Sequence, residues 1–304
     1  MKKNLRISLV VGLILLCVLS TSCLAGESIG TVQVSPTPLP VTQPDVVHEE
    51  NQLGVMPYMN LIAEGAVAGH TEFHQFGYTS STTSTQSDIW LGTGTYAWPT
   101  TAQQMRLVSS STQDSSTGTG IRTVTIYYLD GSYNSHTETV TLSGTVAVDT
   151  VATNIFRVNN FVATTTGSSG QAVGQISLGN LAGTVFYRYI ATGYTQDRGS
   201  MFTVPLGMKL YINDFYLGVG QLTATQTSRA TLRATYNPFS KSMSTAGLVF
   251  YPLAEIESTN GSVVRTFDVP MYVPATVDVK ISIVNSNSAT GDAEGSYRGW
   301  LQSN

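Results

Sequence analysis

Little of this 304-residue chain is charged: Asp, Glu, Lys and Arg supply 11% of it, against roughly 25% in an average soluble domain. Lys and Arg number 15 and are scattered rather than striped, and the net charge is −4. Nothing here neutralises a phosphate backbone, so a nucleic-acid partner is excluded. Cysteine is as scarce. Cys17 and Cys23 both lie in the N-terminal hydrophobic stretch, so the body carries no thiol. That excludes a disulfide framework, a thiolate metal site and a cysteine nucleophile together. Long helical periods are missing too, as is any G-x-S-x-G elbow for a nucleophilic serine.

What fills the space is hydroxyl. Ser and Thr make up about a quarter of the chain, far above ordinary usage. Threonine suits pleated sheet because its branched Cβ packs there, while its hydroxyl keeps an exposed face wet without charge. The segment Arg122–Leu142, RTVTIYYLDGSYNSHTETVTL, shows the pattern best. Val124, Ile126 and Tyr128 share one face, and Thr123, Thr125 and Tyr127 the other. Asp130-Gly131 breaks the alternation and 139–142 resumes it, as in a β-hairpin. In VDVKISIV, Val277, Val279, Ile281 and Ile283 oppose Asp278, Lys280 and Ser282.

The predicted strands of a first unit are 104–109, 122–129, 136–142, 155–164 and 173–178. Those of a second unit are 185–190, 201–204, 209–219, 230–238, 248–253, 263–269, 276–284 and 297–302. The fold class expected is all-β: two antiparallel sandwich or jelly-roll-like units, 87–180 and 181–304, divided near Gly179–Gly183. Residues 51–86 read as an irregular arm that packs on the core or on a neighbouring subunit. Residues 26–50, with prolines at 36, 38, 40 and 44, read as an extended linker.

Residues 1–25 have a basic start and about thirteen mostly apolar residues, short for a membrane span. They read as a cleaved signal ending at Ala25, as a lipoprotein signal with Cys23 as the lipidated residue, or as a retained anchor. Any membrane contact is expected through this segment alone.

Reactive constellations are weak. His70 and His74 flank Glu72, a spacing that would pair imidazoles on a helix, but Gly69 and Gly77 argue against a helix and no third ligand is evident. His48 lacks the second histidine of a metalloprotease signature, and His136 sits in a polar strand. The few acids, Asp130, Glu138, Asp149, Asp197, Asp214, Glu255 and Glu257, fall largely in turns rather than as a catalytic pair. Gly118-Thr119-Gly120 precedes a strand and reads as a turn, and Asn260-Gly261-Ser262 as a hairpin turn rather than a glycosylation sequon. No catalytic residue, metal ligand or cofactor is expected. Trp90, Trp98 and Trp300 are left as core, as subunit contacts or as a sugar-stacking platform.

Three runs carry a family resemblance: EFHQFGYTSSTTSTQSDIW, TGTGIRTVTIYYLDGSYNSHTETVTLSGT and NIFRVNNFVATTTGSSGQAVGQI. FTVPLGMKLYI and VPATVDVKISIVNSNS continue it. Over roughly residues 70–302 the chain resembles a structural protein family of tailed marine bacteriophages and large algal viruses. The resemblance implies a non-enzymatic virion component of all-β fold, for capsid decoration, fibre or particle surface. It would act by homo-oligomerisation, by contact with other virion proteins and by surface display from loops such as 110–120 and 165–172, with host glycans as a further partner. The alternative is an exported, outer-membrane-anchored or extracellular protein that recognises envelope glycans.

Overall fold

The computed structural model describes residues 58–220, 227–243, 248–259, 261–286 and 291–304. Residues 1–25 with Cys23, expected as a signal or anchor, the expected linker 26–50 with His48, and Asn260 lie outside the described residues. A short helix, α1 (Tyr58–Ala63), leads into β1 (His70–Thr82) and β2 (Ser87–Asp88). Next come β3 (Met105–Ser109), β4 (Ile121–Leu129), β5 (Ser135–Thr141), β6 (Val148–Asp149), β7 (Arg157–Thr166), β8 (Ile176–Asn180) and β9 (Phe186–Ile190). The chain continues through β10 (Phe202–Thr203), β11 (Met208–Gly220), β12 (Ser228–Ala234), β13 (Tyr236–Asn237) and β14 (Ser242–Met243). It ends with β15 (Tyr251–Ser258), β16 (Gly261–Val273), β17 (Asp278–Asn285) and β18 (Gly291–Ser303).

These strands build two antiparallel sandwiches, as the alternation predicts, but with a different connectivity. The base sandwich joins a sheet ordered β1-β18-β11-β16 to one ordered β10-β17-β12-β15, with β2 added on β17. Its core holds Leu210, Ile212, Phe215, Leu217, Leu232, Val279, Ile281 and Tyr297. The other sandwich joins β6-β3-β8-β9 to β5-β4-β7 around Leu107, Val124, Ile126, Phe161, Ile176 and Leu178. Burying each of these side chains stabilises by about 1.5–3 kcal/mol before conformational entropy is subtracted. Because β1 and β2 precede the second sandwich and β10–β18 follow it, that sandwich is an insertion in the base.

Two sequence expectations are corrected by this topology. Within the segment expected as an irregular arm, 51–86, residues 70–82 instead form β1, an edge strand paired with the C-terminal β18 from His70↔Gln302 onward. Phe73 and Gly77 face the core, and a side chain at Gly77 would run into the backbone of Ile89 and Ser200. A glycine at an inward position erases the alternation that would announce the strand. Nor does Gly179–Gly183 separate two units. It is the turn of the β8–β9 hairpin, with Gly183 at φ +66° and Ile176 paired to Ile190. β15 and β16, the strands on either side of Gly261 (φ +83°), belong to different sheets and are not a hairpin pair.

The β4–β5 hairpin is as expected. Val124 and Ile126 are fully buried and Tyr128 nearly so. The outer face carries a hydroxyl ladder in which Thr125 Oγ1 meets Thr139 Oγ1 at 3.0 Å and Thr123 Oγ1 meets Thr165 Oγ1 at 2.6 Å. At the turn, the Asp130 carboxylate accepts from Ser132 N, Asn134 N and His136 Nε2. Desolvation pushes its pKa up, but the hydrogen bonds from His136, Asn134 and Ser132 outweigh it and hold it at about 2.

Candidate functional site

Among the described residues, the ion pairs with both partners buried are Arg157–Asp278, Arg188–Asp197 and Lys280–Asp88, and two of them link the base strand β17 to residues outside it. On β7, Arg157 donates Nε to Asp278 Oδ1 and Nη2 to Asp278 Oδ2, both at 2.9 Å, across to the base strand β17. Its Nη1 reaches Pro99 O at 2.6 Å, and Thr203 Oγ1 donates to the same aspartate at 2.6 Å. Two residues on, Lys280 Nζ donates to Asp88 Oδ2 at 2.9 Å and Ser282 Oγ to Asp88 Oδ1 at 2.8 Å. Asp88 also accepts from Tyr96 N at the entrance to the insertion. Arg188, fully buried, binds Asp197 at 2.8 Å and the carbonyls of Val158 and Met201. The polar face of VDVKISIV is therefore buried rather than solvated, and every charge on it has an opposite partner. A buried ion pair contributes little net stability, but it makes the geometry specific, because an unpaired charge there is so costly.

Neutral groups complete the joint. Asn159 Nδ2 donates to Thr203 O and Thr203 N donates back to Asn159 Oδ1, both at 2.8 Å, so one amide side chain imitates a strand partner between β7 and β10. Beside this joint opens a cleft of about 590 Å³. Its base wall is β1, with Glu72, His74 and Gln75. Its opposite wall is the row Thr137–Tyr127–Asn160, one residue from each of β5, β4 and β7. Phe202, Pro205 and Leu301 supply apolar surface. Burial pushes the His74 pKa below its ordinary value, Arg298 adds to this, and Asp214 and Glu72 pull weakly the other way.

The residues singled out from sequence are thus distributed as follows. His70 and His74 lie on one face of β1, about 13 Å apart along an extended chain, and His70 Nε2 meets Tyr58 OH at 3.0 Å. No group of three metal-ligating side chains occurs among the described residues. His136 pairs with Asp130 and stacks on Tyr128. The acids hold local structure: Glu138 accepts from Val151 N and Ala152 N, Asp149 pairs with Arg106, Asp214 with Arg298, and Glu257 with Arg229. Glu255 accepts from Thr231 Oγ1, and Asp197 serves Arg188.

Trp90 packs in the core of the inserted sandwich, whereas Trp300 lies on the face of β18 opposite the core-facing Tyr297. Trp90 is 7% exposed and Trp300 8%. Trp300 stacks on Tyr211 at 5.1 Å, and Trp98 lies between the Phe250 ring and the Arg157 guanidinium. Their faces are taken by protein, which removes the sugar-platform reading for these rings. The cleft residues Tyr127 and Asn160 carried no sequence signal beyond an exposed aromatic in an outward register.

No family model matches this chain, and no curated protein matches it. Among solved structures, it is similar to the structure of the infectious bursal disease virus Gx strain at 12% identity. That match covers 77% of this chain and 72% of the other, with a TM-score of 0.23. The VP2 subviral particle of the same virus matches at 12% identity, covering 82% and 78%, with a TM-score of 0.21. The CBM22-1-CBM22-2 tandem domain of Paenibacillus barcinonensis Xyn10C matches at 11%, covering 77% and 93%, with a TM-score of 0.23. At such scores the two kinds of neighbour carry no argument, and the all-β class rests on the strands of this chain themselves.

Proposed function

We propose that this chain is a non-enzymatic virion structural protein that self-associates through one flank of its base sandwich and displays the inserted sandwich. The observation that carries the reading is a pair of ordered apolar knobs on that flank. β16 is an edge strand, and its pairing with β11 jumps from Ile212↔Met271 to Asp214↔Thr266. Of the residues passed over, Phe267 packs against the core while Val269 is left 81% exposed. Phe239 is 94% exposed at the tip of the β13–β14 turn, where Asn237 Oδ1 caps Phe239 N at 2.9 Å. Tyr236 and Tyr272, each three residues from a knob, meet edge to face, which supports a common flank for the two. An unpaired strand edge beside protruding apolar side chains is a surface on which another chain can dock, and a second copy supplies one by symmetry.

The joint of paired charges supports the display half of the proposal, since it fixes the insertion to the base without a flexible hinge. The Thr-rich outer face of β4, β5 and β7 fits a solvent-facing surface. Sedimentation velocity on the chain lacking residues 1–50 tests the association. The expected result is an oligomer that becomes monomeric in the double variant Phe239→Asp/Val269→Asp with its circular dichroism spectrum retained, since both side chains are solvated in the monomer. A wild-type monomer at about 100 μM, where weak but specific contacts already populate complexes, would count against it.

A further inference from the structure

We infer that the cleft at the junction of the sandwiches is a binding site for a neutral oligosaccharide. The inference goes beyond assembly and does not depend on it. The argument runs from what the walls offer. No Lys or Arg lines the cleft, and of its two histidines His136 is already engaged by Asp130, so it offers no free cation for a phosphate, a sulfate or an acidic sugar. A purely apolar ligand is disfavoured as well, because its burial would strand the carboxylate of Glu72, the amides of Gln75 and Asn160 and the hydroxyl of Thr137 without water. The ligand that satisfies both surfaces is uncharged, rich in hydroxyls and equipped with flat C–H faces.

The row Thr137–Tyr127–Asn160 is arranged for such a ligand. Tyr127 is 44% exposed, offering an aromatic face of the kind that covers sugar C–H groups. Asn160 Oδ1 already accepts from Phe161 N at 2.8 Å, so its NH₂ is the half that remains for a ligand oxygen. Across the cleft Gln75 Nε2 is spent on Gly199 O, leaving its carbonyl oxygen as an acceptor. Glu72 adds a carboxylate, a strong acceptor for a pair of hydroxyls. The depressed pKa of His74 keeps its imidazole neutral at pH 7, able to give and to take a hydrogen bond. Preorganisation comes from the joint itself: Asn159, next to Asn160, is clamped to Thr203, so little ordering cost is left for binding. At about 590 Å³ the volume falls within the range of small-ligand sites, which favour domain junctions.

The test is saturation-transfer NMR and calorimetry on the chain lacking residues 1–50, with cellotriose, mannotriose and chitotriose as neutral probes and sialyllactose as the acidic one. At least one neutral trisaccharide is expected to bind, and Tyr127→Ala and Asn160→Ala each to weaken it by roughly tenfold or more, the scale of one lost stacking or hydrogen-bond contact. Both residues are exposed, so melting temperatures should stay unchanged. The inference is overturned by three results: no neutral probe binding up to about 10 mM, binding indifferent to both substitutions, or binding of sialyllactose alone. A monomer that binds a neutral trisaccharide would uphold this inference while sinking the assembly proposal.

Discussion

Arg157→Ala is expected to lower the unfolding free energy by about 3–5 kcal/mol, the cost of leaving a buried partner charge uncompensated. The Arg157 and Asp278 side chains are 4% and 3% exposed, and their two N–O contacts are both 2.9 Å. Removing the guanidinium leaves the Asp278 carboxylate with Thr203 Oγ1 and no counter-charge, and leaves Pro99 O without its donor. The double variant Arg157→Met/Asp278→Leu should recover much of the loss, because it removes both charges from a low-dielectric site. Recovery stays incomplete, since the hydroxyl of Thr203 loses its acceptor. Urea denaturation of the wild type, Arg157→Met, Asp278→Leu and the double variant measures the four corners of this cycle, with Arg157→Ala beside them. A loss below about 1 kcal/mol for Arg157→Ala, the level of an exposed pair, would mean that the joint is wet and the insertion loosely held.

Asp114→Ala should be comparably severe, by about 3–5 kcal/mol, since each unsatisfied buried donor costs about 1–3 kcal/mol and partial relaxation keeps the sum below full additivity. The carboxylate is fully buried and organises the end of the inserted sandwich. Oδ1 accepts from Ile121 N at 2.9 Å and Val173 N at 3.0 Å, and Oδ2 from Gly174 N at 2.8 Å and Ser109 Oγ at 2.7 Å. One side chain thus fixes both loops that present this end to solvent, and Gly167 N to Gly120 O at 2.7 Å ties them to each other. Asp114→Asn should rescue little, because its NH₂ would face donors where only acceptors fit. Hydrogen exchange should rise across 110–120 and 166–174 in both variants while β11 and β18 remain protected. Uniform deprotection of the whole chain would instead show that Asp114 supports the entire fold rather than these loops.

The legible parts of the sequence are those where a strand buries one face and wets the other. β4 and β5 announce themselves because Val124, Ile126 and Val140 alternate with threonines, and β17 because Val279 and Ile281 alternate with Asp278, Lys280 and Ser282, although there the polar face is buried too. β1 stays hidden because Gly77 and Gln75 stand where apolar residues would mark the inner face, and because its partner β18 lies more than 200 residues away. The insertion is invisible for a related reason: the Gly-rich turn at 179–183 looks like a boundary, whereas the true crossings pass through Asp88 and Thr203, polar residues that read as surface. Their burial becomes intelligible only once Lys280, Arg157 and Asp278 are seen to answer them. The cleft was illegible because Thr137, Tyr127 and Asn160 come from three separate strands and meet only through register. The tryptophans drew attention by rarity, yet packing consumes their faces.

The central claim, that this chain is a building element of a virus particle, is tested most directly by quantitative peptide mass spectrometry on nuclease- and detergent-washed particles from the culture that carries this sequence. The account predicts peptides from both sandwiches, for instance those spanning β4 and β17, at the stoichiometry of a repeated structural component. Recovery of the protein in the membrane or secreted fraction, with none in the particles, would contradict it.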